Sequence, residues 1–373
     1  MIMPTRKIIL AGGGTGGHIY PAIAIANGLK QEFPNSDILF IGTNRGLEKD
    51  LVTKAGYPLK TIRVKGFQRK LSFDTFISLK ELAAGAWDSI KLIRKEKPDI
   101  VIGTGGYVAG PIIFFSALMG IPSIIHEQNV SPGVTNRILS RFVDKIAISF
   151  PDSMKHFPKN KTILSGNPVR KEIASGIKEQ ALKKYGLSSD LPVVLCFGGS
   201  QGAKRINEAF LHVIEAVKDK KKFQVIHITG KNHYEKTKNI MSNKGIDPDR
   251  SGHIIVRPYI YDMQDVYAAA DLVISRAGAL SVSELNICGK PAILIPLPTA
   301  ANQHQDYNAK FMENNGAGVV IFEKDLSGEY LLRKIEEIIF DKERLYEMGK
   351  ASKSLAVTDA VEKIVDEIKK MIE

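Results

Sequence analysis

The chain has 373 residues, a length that predicts two domains rather than one or four. Hydrophobic residues make up 44% and charged residues 25%, which is ordinary for a soluble globular protein with a core of normal size. Lysine and arginine number 52 against 40 aspartate and glutamate residues, so the net charge is +12. This excess favours an anionic partner, such as nucleic acid, a phosphorylated ligand or an anionic membrane, although a solvated basic surface would explain it equally.

The cysteines and the first residues indicate a cytosolic protein. Cys196 and Cys288 lie far apart in apolar segments, which excludes a disulfide framework or zinc-binding spacing and favours a reducing compartment. The N-terminus leads directly into an apolar run and a glycine-rich loop, without the features of a signal peptide. Because no uninterrupted run of about 18 apolar residues occurs, no transmembrane helix is predicted.

Short apolar runs alternate with helical patterns along the whole chain. Runs that are apolar throughout predict parallel strands buried on both faces, and alternation with helices predicts doubly wound sheets. The predicted strands of the first half are 7–10, 38–41, 61–64, 100–103, 123–126, 145–149 and 162–164. Those of the second half are 193–197, 224–229, 254–257, 272–275, 292–295 and 318–321.

A domain boundary is predicted at Gly166-Asn167-Pro168, where glycine and proline end a strand. The first domain is then 1–167 and the second 168–354. Beyond it, apolar residues recur near a 3.6-residue period, so about 355–373 is predicted to form an amphipathic helix. We expect this helix to pack back on the first domain. The residues of its apolar face are Val357, Val361, Ile364, Ile368 and Ile372.

The first loop reads GGGTGGH and lies between a predicted strand and a predicted helix. Gly12, Gly14 and Gly17 fit the pattern G-x-G-x-x-G, in which glycines permit left-handed turns and close approach of a phosphate or sugar. A dinucleotide site also needs an acidic residue at the end of the second strand, which here ends in Gly-Thr-Asn, so a nicotinamide enzyme is disfavoured. His18 begins the following helix and is predicted to act as a general base or to bind a phosphate, unless it only caps the loop.

Two further loops of the first domain follow apolar strands. Loop 103–111 reads GTGGYVAGP, and segment 124–137 places His126, Glu127, Gln128 and Asn129 at a strand end. Because the carboxyl ends of parallel strands share one edge of the sheet, these loops would line one cleft. Such a polar run either binds a ligand or forms an internally satisfied turn, and the residues alone leave both possibilities open.

The second domain opens in the same way, with a strand, the loop GGSQGA and a helix over 193–207. Further along, the segment SRAGALSVSE begins a helix near Gly278, and the first N–H groups of that helix predict a pyrophosphate site. Glu284 lies one turn into this helix, where a carboxylate is a poor phosphate ligand and a good acceptor for two ribose hydroxyls. The side chains of NQHQ, residues 302–305, suit neutral sugar hydroxyls.

Segment 64–97 combines basic residues with an apolar stripe at helical spacing. Such a stripe faces a protein core more often than a membrane, so the basic loop before it is the better candidate for contact with an anionic bilayer. The stripe consists of Phe76, Leu79, Ala83, Trp87, Ile90 and Ile93, and the basic residues before it are Lys65, Arg69 and Lys70.

Seven of these segments, in order, resemble the signatures of the MurG family of bacterial peptidoglycan glycosyltransferases. They are GGGTGGHIYP, GGYVAGP, HEQNVSPGVTNR, GNPVR, GGSQGA, SRAGALSVSE and NQHQDYNA. The resemblance implies an α/β protein of the GT-B fold, with two Rossmann-like doubly wound parallel-sheet domains and a cleft between them. It also implies that the second domain binds UDP-N-acetylglucosamine and that the first binds a lipid-linked acceptor.

The resemblance also implies roles for individual residues. Glu284 would hold the ribose, Ile260 would contact the uracil, and His18 would lie between the donor diphosphate and the acceptor hydroxyl. In the amide-rich loop we choose Gln305 as the sugar ligand, with Gln303 and His304 as alternatives. Ala279, Leu280 and Ser281 would seat the diphosphate, and the other residues implied to contact the nucleotide sugar are Thr15, Gly16, Gly17, Asn129, Arg170 and Ser200.

The implied reaction is inverting transfer of N-acetylglucosamine to the 4-hydroxyl of undecaprenyl-diphosphate-linked muramoyl-pentapeptide. No D-x-D carboxylate pair flanks the nucleotide motifs, so we expect neither a metal nor another cofactor. The expected partners are the two substrates and an anionic membrane surface at the cytoplasmic face of the cell membrane, and no nucleic acid. The alternative is another GT-B enzyme that uses a UDP-sugar, such as a glycolipid synthase or a UDP-N-acetylglucosamine 2-epimerase.

Overall fold

The computed structural model describes residues 5–43, 47–64, 74–199, 201–219, 222–248 and 251–373, and the side chains of 74–83 are outside that description. The chain divides into two compact units. Unit 1 comprises Met1–Arg170 and Thr358–Glu373, and unit 2 comprises Lys171–Val357. Four residues that the sequence analysis singled out, Lys65, Arg69, Lys70 and Ser200, lie outside the described residues.

Unit 1 is built on a parallel seven-stranded sheet in the order β3-β2-β1-β4-β5-β6-β7. The strands are β1 Lys7–Gly12, β2 Asp37–Gly42, β3 Leu59–Thr61, β4 Ile100–Gly105, β5 Ser123–Glu127, β6 Lys145–Ile148 and β7 Thr162–Leu164. The helices between them are α1 Gly16–Glu32, α2 Glu48–Lys54, α3 Asp74–Glu96, α4 Ala109–Leu118 and α5 Val134–Leu139. The strand order reverses between β1 and β4, which is the point where sheets of this kind bind ligands at the carboxyl ends of their strands.

Unit 2 repeats this architecture with a parallel six-stranded sheet in the order β10-β9-β8-β11-β12-β13. The strands are β8 Val193–Phe197, β9 Gln224–Ile228, β10 Ile254–Arg257, β11 Leu272–Ser275, β12 Ala292–Leu294 and β13 Gly318–Val320. The helices are α6 Lys178–Tyr185, α7 Lys204–Val217, α8 Tyr234–Asn243, α9 Met263–Ala269, α10 Ala279–Cys288, α11 His304–Asn314, α12 Gly328–Ile339 and α13 Lys342–Ser354. The predicted fold class, two doubly wound parallel sheets, is confirmed.

The strands are apolar throughout because both faces of each sheet are covered. Ile8 and Leu10 of β1 belong to a core cluster with α1, whereas Ile9 and Ala11 belong to a second cluster with α4. Successive side chains of a strand point to opposite faces, so both sets must be apolar.

The predicted strand 61–64 is displaced by two residues. The structure places β3 at Leu59–Thr61, where Phe40 pairs with Leu59 and Gly42 pairs with Thr61. Since β2 ends at Gly42, no partner strand remains for the residues that follow Thr61. Of the four residues predicted, only Ile62 is buried, whereas Thr61 and Arg63 are exposed, so the pattern continued past the segment that pairs.

The last helix is α14, Ala360–Ile372, five residues shorter at its start than predicted. Helix α13 ends at Ser354, and residues 355–359 between the two helices are not helical. Val357 lies in this connection, although it continues the spacing of the apolar residues of α14. The apolar face of α14 packs on α1 in unit 1. The two helices approach so closely at Gly28 that a Cβ there would lie 2.4 Å from a methyl carbon of Val361.

The part of the predicted stripe whose side chains the structure describes, Trp87, Ile90 and Ile93, does not form one core-facing surface, and the side chains of Phe76, Leu79 and Ala83 lie outside that description. Ile93 is buried, but Trp87 is 65% exposed, because it lies about 120° around the helix axis from Ile93. The side chains that turn inward with Ile93 include Ser89, which is fully buried. Among the helices that the structure describes, none combines the length and apolarity needed to cross a bilayer.

A partly buried carboxylate, that of Glu96, fixes the end of α3 to the sheet. Glu96 accepts hydrogen bonds from the ammonium groups of Lys60 at 2.5 Å and Lys7 at 2.7 Å, and its side chain is 7% exposed. These two ammonium groups lower the pKa of Glu96 from 4.5 to about 2, against a smaller opposing effect of burial. The folded state thus holds Glu96 ionised at pH values where the unfolded chain binds a proton.

We expect Glu96→Gln to lower the free energy of unfolding by about 2 kcal/mol at pH 7 in urea titrations. Because the folded pKa is depressed, this stabilisation is present above about pH 4.5 and is lost as the pH falls towards 2. The difference between variant and wild type should therefore shrink over that range. Glu32→Gln is the matched control, since Glu32 pairs with Lys369 at an exposed site and should cost under about 0.5 kcal/mol. A difference independent of pH would contradict this account.

Candidate active site

The carboxyl ends of β1, β4 and β5 bring three predicted segments of unit 1 together. His18 is the third residue of α1, and its Nδ1 lies 3.0 Å from the carbonyl oxygen of Thr104, near the end of β4. The Thr104 hydroxyl donates in return to the backbone oxygen of His18 at 2.8 Å. Gln128, just past β5, donates its side-chain amide to the same Thr104 carbonyl at 2.6 Å.

This geometry sets the protonation of the His18 ring. A carbonyl oxygen only accepts hydrogen bonds, so Nδ1 carries the hydrogen and the lone pair of the neutral ring lies on Nε2. The ring is packed against Gly105, where a Cβ would lie 2.7 Å from Nδ1. Gly105 also has a φ of +102°, which side chains rarely adopt, so only glycine fits this position.

Glu48 holds the glycine loop, and the sequence analysis missed it. One oxygen of this fully buried carboxylate accepts from the backbone N–H and the hydroxyl of Thr43, and the other accepts from Gly14 N–H. Burial by itself raises the pKa of Glu48, but hydrogen bonds from its own amide, Thr43 and Gly14 outweigh burial and lower the pKa. An acidic residue therefore does lie near the end of β2, but its carboxylate is bonded to Gly14 and Thr43, as a residue that stabilises the glycine loop. A search extended from the strand end into α2 would have found it.

The hydrogen-bonding groups of the polar run at the end of β5 are largely satisfied within unit 1. The carboxylate of Glu127 accepts from the backbone and side-chain amides of Asn129, from Gly133 N–H and from the Asn136 side chain. His126 is almost fully buried, and burial lowers its pKa to about 4. The internally satisfied turn is thus present, and it holds Asn129 only partly buried at the edge of the site. That Asn129 binds a sugar stays a prediction.

The other predicted residues of unit 1 lie at the start of α1 or beside it. Thr15 is the residue before the helix, and Gly16 and Gly17 are its first two residues. Arg170 is exposed, with its guanidinium 5.8 Å from the centre of the Tyr20 ring. A Cβ at Gly16 would lie 3.2 Å from that same ring, so Tyr20 links Arg170 to the glycine loop.

In unit 2 the residues predicted to seat the diphosphate lie at the start of α10. Gly278 precedes the helix in an extended conformation, and Ala279, Leu280 and Ser281 form its first turn. The first N–H groups of a helix have no acceptor within the helix and form its positive end. Ile260 is buried just beyond the end of β10, an edge strand of the sheet.

Glu284 lies in the second turn of α10 and is 8% exposed. The hydroxyl of Tyr267, a fully buried residue of α9, donates to one of its carboxylate oxygens at 3.0 Å. This hydrogen bond fixes the orientation of the Glu284 carboxylate. No sequence pattern singled out Tyr267, because its neighbours on α9 make it resemble any core aromatic.

The amide-rich loop of unit 2 contains strained backbone. Asn302 and Gln303 both have left-handed conformations, with φ of 52° and 54°, which cost roughly 1–3 kcal/mol each in non-glycine residues. His304 and Gln305 begin α11, and the Gln305 side-chain oxygen accepts from Leu297 N–H at 3.0 Å. Because the Gln305 oxygen already accepts this bond, its NH2 group is the part of the side chain that could bond to a sugar hydroxyl, as a donor. Which of the three residues binds the sugar stays a prediction.

The described residues contain no cluster of three or more His, Cys, Asp or Glu side chains arranged to hold a metal ion. In the GGSQGA loop, Gly199 and Gly202 have φ of +87° and +75°, a backbone conformation that favours glycine, and the predicted ligand Ser200 lies outside the described residues.

Comparison with known proteins decides the family. Residues 8–148 match the glycosyltransferase family 28 N-terminal domain, and residues 193–364 match the glycosyltransferase family 28 C-terminal domain. A protein of Acetivibrio thermocellus is 47% identical over 364 residues, covering 97% of each chain. It is named UDP-N-acetylglucosamine–N-acetylmuramyl-(pentapeptide) pyrophosphoryl-undecaprenol N-acetylglucosamine transferase. The chain belongs to the MurG family of glycosyltransferases.

Solved structures agree with this assignment. The crystal structure of Acinetobacter baumannii MurG superposes with a TM-score of 0.76 at 29% identity, covering 98% of this chain and 100% of that one. A UDP-N-acetylglucosamine 2-epimerase of Neisseria meningitidis superposes with a TM-score of 0.70 but is only 14% identical, covering 98% and 100% of the two chains. That second likeness shows the shared fold alone. The resemblance predicted from the seven motifs and the GT-B fold are confirmed, and the chain is a hexosyltransferase.

Proposed function

We propose that this enzyme transfers N-acetylglucosamine from UDP-N-acetylglucosamine to the 4-hydroxyl of a lipid-linked N-acetylmuramoyl-pentapeptide, with inversion at the anomeric carbon. The product is the lipid-linked disaccharide precursor of peptidoglycan. Support comes from the name of the 47% identical relative and from the family 28 domains. The observation that carries the proposal is the α10 segment, where a helix N-terminus lies one turn before a buried, oriented carboxylate.

The donor would bind to unit 2 through complementary contacts. The first-turn amides of Ala279, Leu280 and Ser281 suit a diphosphate, since they combine N–H donors with the positive end of the helix dipole. Glu284 would accept from the two ribose hydroxyls, and Ile260 would contact the uracil. Gln305, with Gln303 and His304 as alternatives, would bind the sugar together with Ser200. Asn129 is also proposed as a sugar ligand, although it lies in unit 1.

The acceptor would bind to unit 1, where His18 acts as the general base. Nε2 of His18 takes the proton of the acceptor 4-hydroxyl, and the oxygen forms a bond to the anomeric carbon from the face opposite the leaving group. The bond from that carbon to the diphosphate breaks, and UDP departs with the electron pair. Amides at the start of α10 and at the glycine loop, with Thr15, Gly16, Gly17 and Arg170, would stabilise the charge that develops on UDP, without a metal.

The reaction is tested by release of UDP from UDP-N-acetylglucosamine in the presence of a lipid-linked muramoyl-pentapeptide. We expect UDP release that depends on the acceptor, is at least about 10-fold slower with UDP-galactose and persists in EDTA. If activity were lost in EDTA and restored only by a divalent ion, the proposal that the reaction needs no metal would be wrong. Acceptor-independent formation of UDP-N-acetylmannosamine would instead favour the epimerase alternative.

We further propose that unit 1 contacts an anionic membrane surface at the cytoplasmic face of the cell membrane, and that the enzyme binds no nucleic acid. One surface around α5 combines apolar and basic residues in a shallow groove, with Ile138 56% exposed. The groove is lined by Val134, Arg137, Ile138, Ser140, Arg141, Lys155, His156, Phe157 and Pro158. Leu118 and Phe142 are also exposed near the ends of α4 and α5, and Trp87 is exposed on α3. Apolar side chains beside basic ones suit the interface of an anionic bilayer.

Vesicle flotation tests this contact. Each basic residue near an anionic bilayer contributes about 1 kcal/mol, so Arg137→Ser combined with Arg141→Ser should weaken binding to anionic vesicles about 30-fold. UDP release with a water-soluble acceptor should stay unchanged. Tyr346→Ser, at a 68% exposed position of unit 2, is the matched control and should bind as wild type. Binding indifferent to lipid charge would count against the proposal.

A further inference from the structure

A buried chain of hydrogen bonds runs behind His18 within unit 1. Thr104 O accepts from His18 Nδ1 at 3.0 Å and from Gln128 Nε2 at 2.6 Å. The same Gln128 nitrogen lies 3.1 Å from Nδ1 of His126, whose Nε2 lies 3.1 Å from the carbonyl oxygen of Gly166. Gln128 and His126 are 2% and 1% exposed, so neither is placed to contact a substrate.

The chain permits only one arrangement of its hydrogens. Gln128 must present its NH2 group to Thr104, because the reverse orientation would bring two oxygens to 2.6 Å. The second hydrogen of that NH2 group then points to His126 Nδ1, which accepts, so the His126 hydrogen is on Nε2 and is donated to Gly166 O. Burial keeps His126 neutral, with a pKa of about 4.

We propose that Gln128 is a positioning residue for the reaction, which acts by fixing the Thr104 carbonyl that orients the His18 ring. The proposal rests on the proposed role of His18 as the base. A carbonyl oxygen has two lone pairs, and here one accepts from His18 while the other accepts from Gln128. Without the second bond, the direction of the Thr104 carbonyl is held less firmly, and the orientation of the His18 ring is held less firmly with it. Near-attack geometry is sensitive to displacements of this kind.

Gln128→Met removes both hydrogen bonds at nearly constant volume. We expect kcat for UDP release to fall about 10-fold, while KM for UDP-N-acetylglucosamine changes less than about threefold. In the His18→Ala background, the same substitution should change kcat by less than about twofold, because the residue through which Gln128 acts is gone. The four proteins of this cycle are compared at equal folded fraction, which is checked by circular dichroism.

Gln224→Met is the matched control. Gln224 is a buried glutamine of β9 in unit 2 whose side-chain amide likewise donates to backbone carbonyls, those of Ser188 and Leu191. It should lower stability as Gln128→Met does, without lowering kcat. Equal kcat losses for the two glutamine variants, or the same loss for Gln128→Met with and without His18, would overturn the positioning role. An active His18→Ala enzyme would overturn the base assignment itself, and the two failures are thereby distinguished.

Discussion

Replacing Glu284 by alanine is expected to raise KM for UDP-N-acetylglucosamine about 100-fold, with kcat at saturating donor changed by less than about fivefold. The carboxylate is 8% exposed and is oriented by the Tyr267 hydroxyl, so it is ready to accept hydrogen bonds before the donor binds. A hydrogen bond to a charged group contributes about 1.5–3 kcal/mol, and two ribose hydroxyls would make two of them. A loss of about 2.8 kcal/mol corresponds to 100-fold in affinity.

A donor analogue with 2′-deoxyribose isolates this contact. Wild type should bind the analogue about 10-fold more weakly than UDP-N-acetylglucosamine, whereas Glu284→Ala should hardly distinguish the two. Tyr267→Phe should raise KM by a smaller factor, about threefold, since it loosens the carboxylate without removing it. Glu313→Ala, at an acid of α11 that accepts from Val320 N–H, is the control and should leave KM unchanged. If Glu284→Ala still bound the deoxy analogue about 10-fold more weakly than UDP-N-acetylglucosamine, Glu284 would not be the residue that binds the ribose.

The fold followed closely from the sequence because its strands carry an unusually direct signal. In a parallel sheet covered on both faces, nearly every strand residue is apolar, so runs such as 193–197 and 272–275 coincide with β8 and β11. The errors arose where apolar residues serve another purpose. Residues 62–64 follow β3 without a partner strand, Val357 is in phase with α14 without belonging to it, and Trp87 turns outward from α3.

The sequence predicted the position of the candidate site, because glycine loops and strand ends are visible in it, but not the contacts that orient the side chains there. Placing His18, Thr104 and Gln128 together needed only the rule that parallel strands end at one edge. The contacts that orient these groups depend on backbone atoms and on distant residues. The Thr104 carbonyl has no side-chain signature, and Tyr267 lies 17 positions from the carboxylate it orients. Glu48 was missed because an acid was expected only at the end of β2, and Glu48 lies beyond that end, in α2.

For His18, replacement by alanine is expected to lower kcat about 100-fold or more, with little change in KM for UDP-N-acetylglucosamine. The Nδ1–H group is held by the Thr104 carbonyl, which leaves Nε2 as the ring nitrogen able to accept a proton. If His18 is the base, proton acceptance matters more than hydrogen bonding. His18→Gln, which keeps an amide near the Nε2 position but cannot take up a proton, should then be as slow as His18→Ala.

If His18 is a ligand of the donor diphosphate and not the base, a different result is expected for His18→Ala and His18→Gln. If His18 only donates a hydrogen bond to the diphosphate, glutamine should restore most of the activity, and alanine should raise KM rather than lower kcat. His212→Ala, at an exposed histidine of α7 in unit 2, is the control for loss of an imidazole and should match wild type. Steady-state kinetics over donor concentration separates the outcomes, because a base acts on the chemical step and a ligand of the donor acts on binding. A low kcat for both His18 variants at unchanged KM is the result that only proton acceptance explains.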